Sequence, residues 1–202
     1  MGEIWKEYKG WIIAGAVALV VLMTWGGHSG RVGGKNEVLA QNAEIQNQYQ
    51  RRSDLIPNLV DTVKGFAAQE RSVLMGVTEA RAKASQVNFS AADLTDPVKL
   101  KQFQDAQAQL SGALSRLLLT VERYPDIKSG ANFLALQSQL EGTENRIAVA
   151  RGRQITAVRN YNTSLETLTG GFYTAVCSFK PFPQFEADPG AKKVPTVSFG
   201  KG

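Results

Sequence analysis

The chain has 202 residues, with 23 Lys and Arg against 18 Asp and Glu, which gives a formal net charge of +5. Its single Cys and single His exclude an internal disulfide scaffold, and they argue against a Cys/His zinc cluster or a Ser-His or Cys-His catalytic pair. Residues 36–179 hold 15 basic and 14 acidic side chains (15 − 14 = +1), so the excess charge lies at the two ends and no nucleic-acid-binding body is expected.

The first predicted element is an uncharged N-terminal helix. Residues 11–25 read WIIAGAVALVVLMTW, and with their flanking residues they give an apolar stretch of 18, about 27 Å as a helix and just enough for a bilayer core. Trp11 and Trp25 stand at its ends, where aromatic rings prefer the headgroup region. A cleaved signal peptide is the alternative. Because two Glu offset the two Lys of the leading segment, residues 1–27 are predicted to be an uncleaved transmembrane anchor.

A stripe of small residues runs along this helix at Gly10, Ala14 and Ala18. Such a stripe could let two anchors pack closely, or it could be incidental in an Ala-rich segment. Two basic residues flank the apolar stretch on each side, so charge does not decide which side of the membrane the rest of the chain occupies.

A Gly-rich linker and a long helical body follow. The letters GGHSGRVGG predict a flexible hinge, and the linker is placed at residues 28–35. From residue 36 to about Ser85, apolar residues recur at helical spacing, interrupted by Pro57. Because proline lacks the amide donor of an interior turn, either one long helix kinks at Pro57 or two helices abut there.

Two further apolar stripes predict two further helices, over about 97–121 and 129–168. Long stripes joined by short loops predict an antiparallel bundle of three main helices over 36–179. Residues 180–202 carry four prolines and are predicted to be an extended tail whose Phe side chains pack on the bundle or on a partner. The predicted fold class is therefore all-α, with one transmembrane helix, a long bundle and a tail.

Several motifs resemble a known family. They are QRRSDLIPNLV at 50–60, TVKGF at 62–66, ERYP at 122–125, LQSQLEGTENRIAVAR at 136–151 and FKPFPQFEA at 179–187. Together they resemble the signature of the LemA family over roughly residues 36–199. The resemblance implies an N-terminal membrane anchor, a long helical bundle and no established catalysis.

The polar residues of these motifs are the candidate site residues. Seven of them are expected to pair between helices, because buried ion pairs fix the alignment of helices more reliably than they add stability. These are Arg51, Arg81, Arg151, Glu70, Glu122, Glu144 and Asn145. The other motif positions are Arg52, Asp54, Pro57, Asn58, Tyr161 and Asn162, of which the last two are expected to form a packed, hydrogen-bonded pair.

A metal site is the main alternative chemistry. Glu70, Glu122, Glu141 and Glu144 could meet inside a bundle, as in di-iron carboxylate proteins, but those sites also use Glu-x-x-His pairs, which this sequence lacks. Cys177 stands among apolar residues and is expected to be a small buried side chain without redox chemistry. No metal, cofactor, nucleic acid or small-molecule substrate is predicted.

The function predicted from these features is a non-catalytic, membrane-anchored scaffold or adaptor. It would be a single-pass protein of the bacterial plasma (inner) membrane, with the lipid bilayer, other membrane proteins or its own copies as partners. Two alternatives remain open at this point: a metal-dependent enzyme built in a carboxylate bundle, and a membrane coat or ring made by self-assembly.

Overall fold

The computed structural model describes residues 2–64, 70–87, 89–167 and 178–184. Within these residues the fold is all-α and contains no strand, which confirms the all-α part of the predicted fold class. In chain order the helices are α1 (Gly2–Val63), α2 (Arg71–Gln86), a short 3-10 helix (Ala91–Thr95), α3 (Pro97–Val121), α4 (Pro125–Lys128) and α5 (Ala131–Glu166).

α1 is one continuous helix of 62 residues, about 93 Å long. It includes residues 28–35, so the prediction of a flexible linker there is wrong. Glycine permits bending but also permits close packing, and a Cβ added at Gly34 would lie 3.3 Å from the ring carbon Cδ2 of Tyr161. Gly34 therefore lets α1 and α5 approach closely instead of acting as a hinge.

α1 also runs through Pro57, so the first helix of the body does not break there. α1 ends at Val63, and α2 begins at Arg71. Residues 65–69, between the two helices, lie outside the described part. The first predicted helical segment, kinked or broken at Pro57 and reaching about Ser85, is thus divided between Val63 and Arg71 and not at the proline. The body accordingly has four long helices instead of three main ones.

α1 and α5 run antiparallel to each other. Arg31 of α1 contacts Ser164 near the end of α5, whereas Arg52, farther along α1, contacts Glu144. A core of buried apolar side chains lies along this contact. It includes Val38, Ile45, Tyr49, Ile147, Val158 and Tyr161.

α2 packs on α3, and both close over the last part of α1. The core there includes Ile56, Leu59, Val63, Val77, Leu110, Leu114 and Leu117. α3 begins as its sequence predicts: Pro97 occupies the first turn, and the Asp96 carboxylate accepts hydrogen bonds from the amides of Val98 at 2.9 Å and Lys99 at 3.3 Å.

The predicted anchor is helical as part of α1. Gly10, Ala14 and Ala18 are exposed, and the Trp11 side chain is 79% exposed, whereas the side chain of Trp25 lies outside the described part. Among the residues that the structure describes, no helix is both long enough and apolar enough to cross a membrane.

Residues 178–184 form neither helix nor strand, and they pack on α5. Phe182 is 4% exposed, and its ring centroid lies 5.1 Å from that of Tyr161. The rest of the predicted tail, residues 185–202, lies outside the described residues, as does Cys177.

Candidate functional site

Arg52 is the most buried charged side chain in the described part of the chain, with 1% of its surface exposed. Its guanidinium donates hydrogen bonds to the Glu144 carboxylate at 2.9 Å, to the Ser111 hydroxyl at 2.6 Å and to the side-chain oxygen of Gln107. One cation of α1 therefore joins α3 and α5. Glu144 is 41% exposed, so only one member of the ion pair has lost its water.

The ring of Tyr49 lies close to two guanidinium groups. The Arg52 guanidinium carbon is 5.0 Å from the ring centroid and that of Arg151 is 5.6 Å away, within the range of cation–π attraction. Nε of Arg151 also donates to the Tyr49 hydroxyl at 2.8 Å. Burial raises the pKa of Tyr49 above its ordinary value, although the charge and the hydrogen bond of Arg151 act in the opposite direction. At neutral pH this hydroxyl is therefore protonated and serves as a packing and hydrogen-bonding group.

Pro57 and Arg81 act on the same carbonyl group. In an α-helix the carbonyl of Ser53 would accept from the amide of residue 57, but proline has no amide hydrogen. Nε of Arg81, on α2, donates to this carbonyl oxygen at 2.9 Å. Arg81 thus satisfies the backbone group that Pro57 leaves open, and α1 continues as a helix through the proline.

A second polar cluster closes the other end of the α2–α3 pair. The Glu70 carboxylate accepts from Arg123 at 2.8 Å and from the Tyr124 hydroxyl at 3.2 Å. Glu122 pairs with Lys128 across the short turn that follows α3. Glu70 therefore ties the start of α2 to the end of α3, whereas the Glu122 pair is local and exposed.

Tyr161 and Asn162 bind the backbone of the segment after α5. The side-chain amide of Asn162 donates to the carbonyl of Phe182 at 2.8 Å, and its oxygen accepts from the amide of Phe182 at 3.0 Å. The Tyr161 hydroxyl donates to the carbonyl of Lys180 at 3.2 Å, and burial raises the pKa of this hydroxyl. The two side chains therefore hold the 178–184 segment and do not bond to each other.

The structure does not bring the other predicted residues into contact between helices. Arg51 and Asn145 are exposed, and within the described residues neither makes a hydrogen bond or ion pair to another helix. Asp54 accepts a hydrogen bond from Gln50 one turn earlier, and the carbonyl of Asn58 accepts from Thr62. These four motif residues lie on the surface of the bundle.

Several interhelical polar residues lie outside the predicted set. Gln107 is 6% exposed, and Gln154 is 1% exposed and donates to Asn42 at 3.4 Å. Arg31 donates to the carbonyl of Ser164, near the C-terminal end of α5, where a cation also complements the helix dipole. The available signal was spacing, because Gln107 lies one turn after Phe103 in an otherwise apolar stripe.

No three His, Cys, Asp or Glu side chains of the described residues are grouped so that they could hold a metal ion. The four glutamates considered for a carboxylate site have separate partners instead. These are Arg123 for Glu70, Lys128 for Glu122, Gln137 for Glu141 and Arg52 for Glu144.

A long first helix, packed antiparallel on a second long helix with polar pairs along their contact, defines an all-α bundle protein. The chain belongs to the LemA family, whose pattern it matches over residues 41–199, and the resemblance found in the sequence motifs is thereby confirmed.

The curated relatives agree with this assignment. The chain is 29% identical over 150 residues to "Protein LemA" of Metamycoplasma hominis, a match that covers 71% of this chain and 61% of the relative. It is 24% identical over 166 residues to "Magnetosome protein MamQ" of Magnetospirillum gryphiswaldense and 25% identical over 166 residues to "Magnetosome protein MamQ 2" of Paramagnetospirillum magneticum; each match covers 74% of this chain and 61% of the relative. The chain thus spans about three-fifths of the length of these relatives.

Proposed function

We propose that this protein is a non-catalytic scaffold, anchored in a bacterial plasma (inner) membrane by its N-terminal segment, whose helical bundle contacts partner proteins or other copies of itself. The observation that carries the proposal is a run of large apolar side chains that no other part of the described chain covers. Trp11, Ile12, Ile13 and Val17 are 79%, 64%, 55% and 57% exposed. Contiguous exposed apolar surface of this kind suits a lipid or protein environment better than water.

The polar groups support a scaffold over an enzyme. A catalytic acid, base or nucleophile has to be free to meet a substrate. The buried polar residues of the family motifs instead satisfy one another or the backbone, as Arg52 does with Glu144 and Asn162 does with Phe182. Arg52 and Glu144 fix the alignment of α1 and α5, and Asn162 fixes the 178–184 segment on α5, so the bundle presents a defined surface.

Membrane anchoring is tested by placing charge in the apolar run. A variant with Ile12→Lys and Val17→Lys should leave the membrane fraction, because each Lys in the middle of a span costs about 2.5–3.5 kcal/mol. The control carries Gln102→Lys and Gln109→Lys on exposed positions of α3 and should remain in the membrane pellet after an alkaline wash. Retention of both variants would contradict the anchor, and so would retention of a variant that lacks residues 1–27.

The scaffold role is tested by crosslinking in native membranes and identification of the attached proteins. Crosslinks to other membrane proteins, or between copies of the chain, are expected from the bundle surface. Size measurement of the full chain in detergent, compared with a variant lacking residues 1–35, then separates self-assembly from binding to other proteins. A stoichiometric transition metal in the purified protein would contradict the non-catalytic assignment.

A further inference from the structure

A small cavity lies between α1, α2 and α3, beside Arg52 and its hydrogen-bond partner Gln107. It has a volume of about 230 Å³ and is partly open to solvent. Its polar lining includes Gln46, Gln50, Ser53, Ser85 and Gln107.

Aromatic rings form its apolar wall. Phe89 and Phe103 are stacked with ring centroids 4.7 Å apart, and Tyr49 meets Phe103 edge-on at 5.4 Å. All three line the cavity. A flat apolar group could therefore lie against this wall while a polar group faces the amide side chains.

Gln107 provides a fixed hydrogen-bond donor in this cavity. A guanidinium can only donate, so the side-chain oxygen of Gln107 must face Arg52, and its NH2 group must point away from that cation. The residue is 6% exposed and lines the cavity, and no hydrogen bond among the described residues uses its Nε2. Nε2 is not one of the fully buried atoms that lack a partner, so it is open to water from the cavity. The hydrogen-bonded series Glu144–Arg52–Gln107 therefore fixes a donor, Nε2 of Gln107, that bonds to none of the residues that the structure describes.

The charges behind the walls favour an anionic acceptor. Arg81 bonds to the carbonyl of the lining residue Ser53 and pairs with no acidic side chain among the described residues. Arg52 lies behind Gln107, and its charge is paired with Glu144. None of the described residues that line the cavity is acidic. Asp54, which accepts from Gln50 at the rim, is exposed and screened by water.

We infer that this cavity is a binding site for a carboxylate carried on a small flat or apolar group, with the carboxylate accepting hydrogen bonds from Nε2 of Gln107. The volume is below that of pockets for drug-sized ligands, so it suits a small aromatic acid or one acidic side chain of a partner protein. The inference goes beyond the scaffold role and does not depend on membrane anchoring.

The test uses the full chain in mild detergent, titrated with benzoate and observed by NMR. Benzoate should shift the side-chain NH2 signal of Gln107, with a dissociation constant on the order of millimolar for so small a ligand. Benzamide, its neutral counterpart, should bind about tenfold more weakly or not at all. Absence of a shift at Gln107, or equal binding of benzamide, would overturn the inference.

A matched pair of variants isolates the donor. Gln107→Glu keeps an oxygen for Arg52, so the midpoint of thermal unfolding should not fall. The substitution also replaces the NH2 donor with an anion, so it should weaken benzoate binding about tenfold or more. Gln102→Glu makes the same charge change at an exposed position of α3 and should leave the affinity within about twofold. Unchanged binding in Gln107→Glu would refute the role of Gln107 without bearing on membrane anchoring.

Blocked dipeptides separate the two sources of a carboxylate. If N-acetyl-Asp-Phe-amide binds more tightly than benzoate and its Asn-Phe analogue loses this affinity, the site is assigned to an acidic side chain of a partner. Tighter binding of benzoate assigns it to a small free acid. Equal affinity of the Asp and Asn peptides, together with no preference for benzoate over benzamide, contradicts both.

Discussion

The contact between Pro57 and Arg81 predicts that the two residues depend on each other. Arg81→Met removes the donor that reaches the Ser53 carbonyl at 2.9 Å and keeps most of the side-chain stem. Pro57→Ala restores the amide that normally serves this carbonyl. The cost of losing Arg81 should therefore be large with proline at 57 and small with alanine there.

The magnitude follows from the hydrogen bond. A bond from a charged donor contributes about 1.5–3 kcal/mol when buried. Arg81 is only half-buried, and water can partly replace it, so Arg81→Met should cost about 1–1.5 kcal/mol. For a chain of this size that loss corresponds to a Tm lower by about 2–6 °C. Pro57→Ala alone should raise stability, by up to about 3 kcal/mol, because alanine is the better helix former.

The assay is thermal and urea unfolding of the wild type, both single variants and the double variant, followed by far-ultraviolet circular dichroism. In the Pro57→Ala background, Arg81→Met should cost less than about 0.5 kcal/mol, which gives a coupling energy of about 1 kcal/mol. Lys83→Met, which removes an exposed cation paired with Glu79 on the same helix, should cost less than about 0.5 kcal/mol in both backgrounds. Equal cost of Arg81→Met in both backgrounds would refute the reasoning.

Three further predictions test other parts of the fold. Gly33→Ala, where an added Cβ meets nothing within 4 Å, should raise the free energy of unfolding in urea by up to about 1 kcal/mol, whereas Gly34→Ala should gain less or lose; equal gains would contradict the close approach of α1 and α5. Hydrogen bonds from Lys99 and then from Ser90 hold the pKa of Asp93 below its ordinary 3.8, so the stabilisation from Asp93 is present above pH 3.8 and is lost as the pH falls through the lowered pKa. In an NMR titration Lys99→Met should return that pKa toward 3.8, and an unmoved value would show that Lys99 is not the cause. Leu59→Asp puts an unpaired carboxylate at a position that is 2% exposed and should cost more than about 3 kcal/mol, so a cooperative melt like that of the wild type would place Leu59 outside the core.

The helical core could be predicted from the sequence because apolar spacing reports directly on burial. Ile56 and Leu59 in α1, and Leu110 and Leu117 in α3, occupy the stripe positions and are each 1–2% exposed. Neighbouring residues on a helix point about 100° apart. Arg52 is therefore buried while Arg51 is exposed, although the two are the same residue type and adjacent in the motif.

The errors came from reading residue types without their tertiary contacts. The glycines of residues 28–35 suggested a hinge, but the segment is helical, and one of them, Gly34, packs against Tyr161. Pro57 suggested a kink or a break, but a donor from another helix serves the carbonyl group that the missing amide leaves open, and α1 does not end there. Gln107 is a single polar residue within an apolar stripe. Its burial is explained by its hydrogen bond from Arg52, which the sequence does not reveal.

Three polar residues of this fold share a common physical task, which is to satisfy backbone groups where regular helix hydrogen bonding stops. Arg81 serves the carbonyl left open by Pro57, Asn162 serves both backbone groups of Phe182, and Gln46 donates to the carbonyl of Phe89 in the loop after α2. Buried backbone groups without partners are costly, so each of these side chains is required wherever the chain keeps that break or bend. Arg, Asn and Gln residues of a motif can therefore be required only to satisfy backbone groups. This requirement does not account for Nε2 of Gln107.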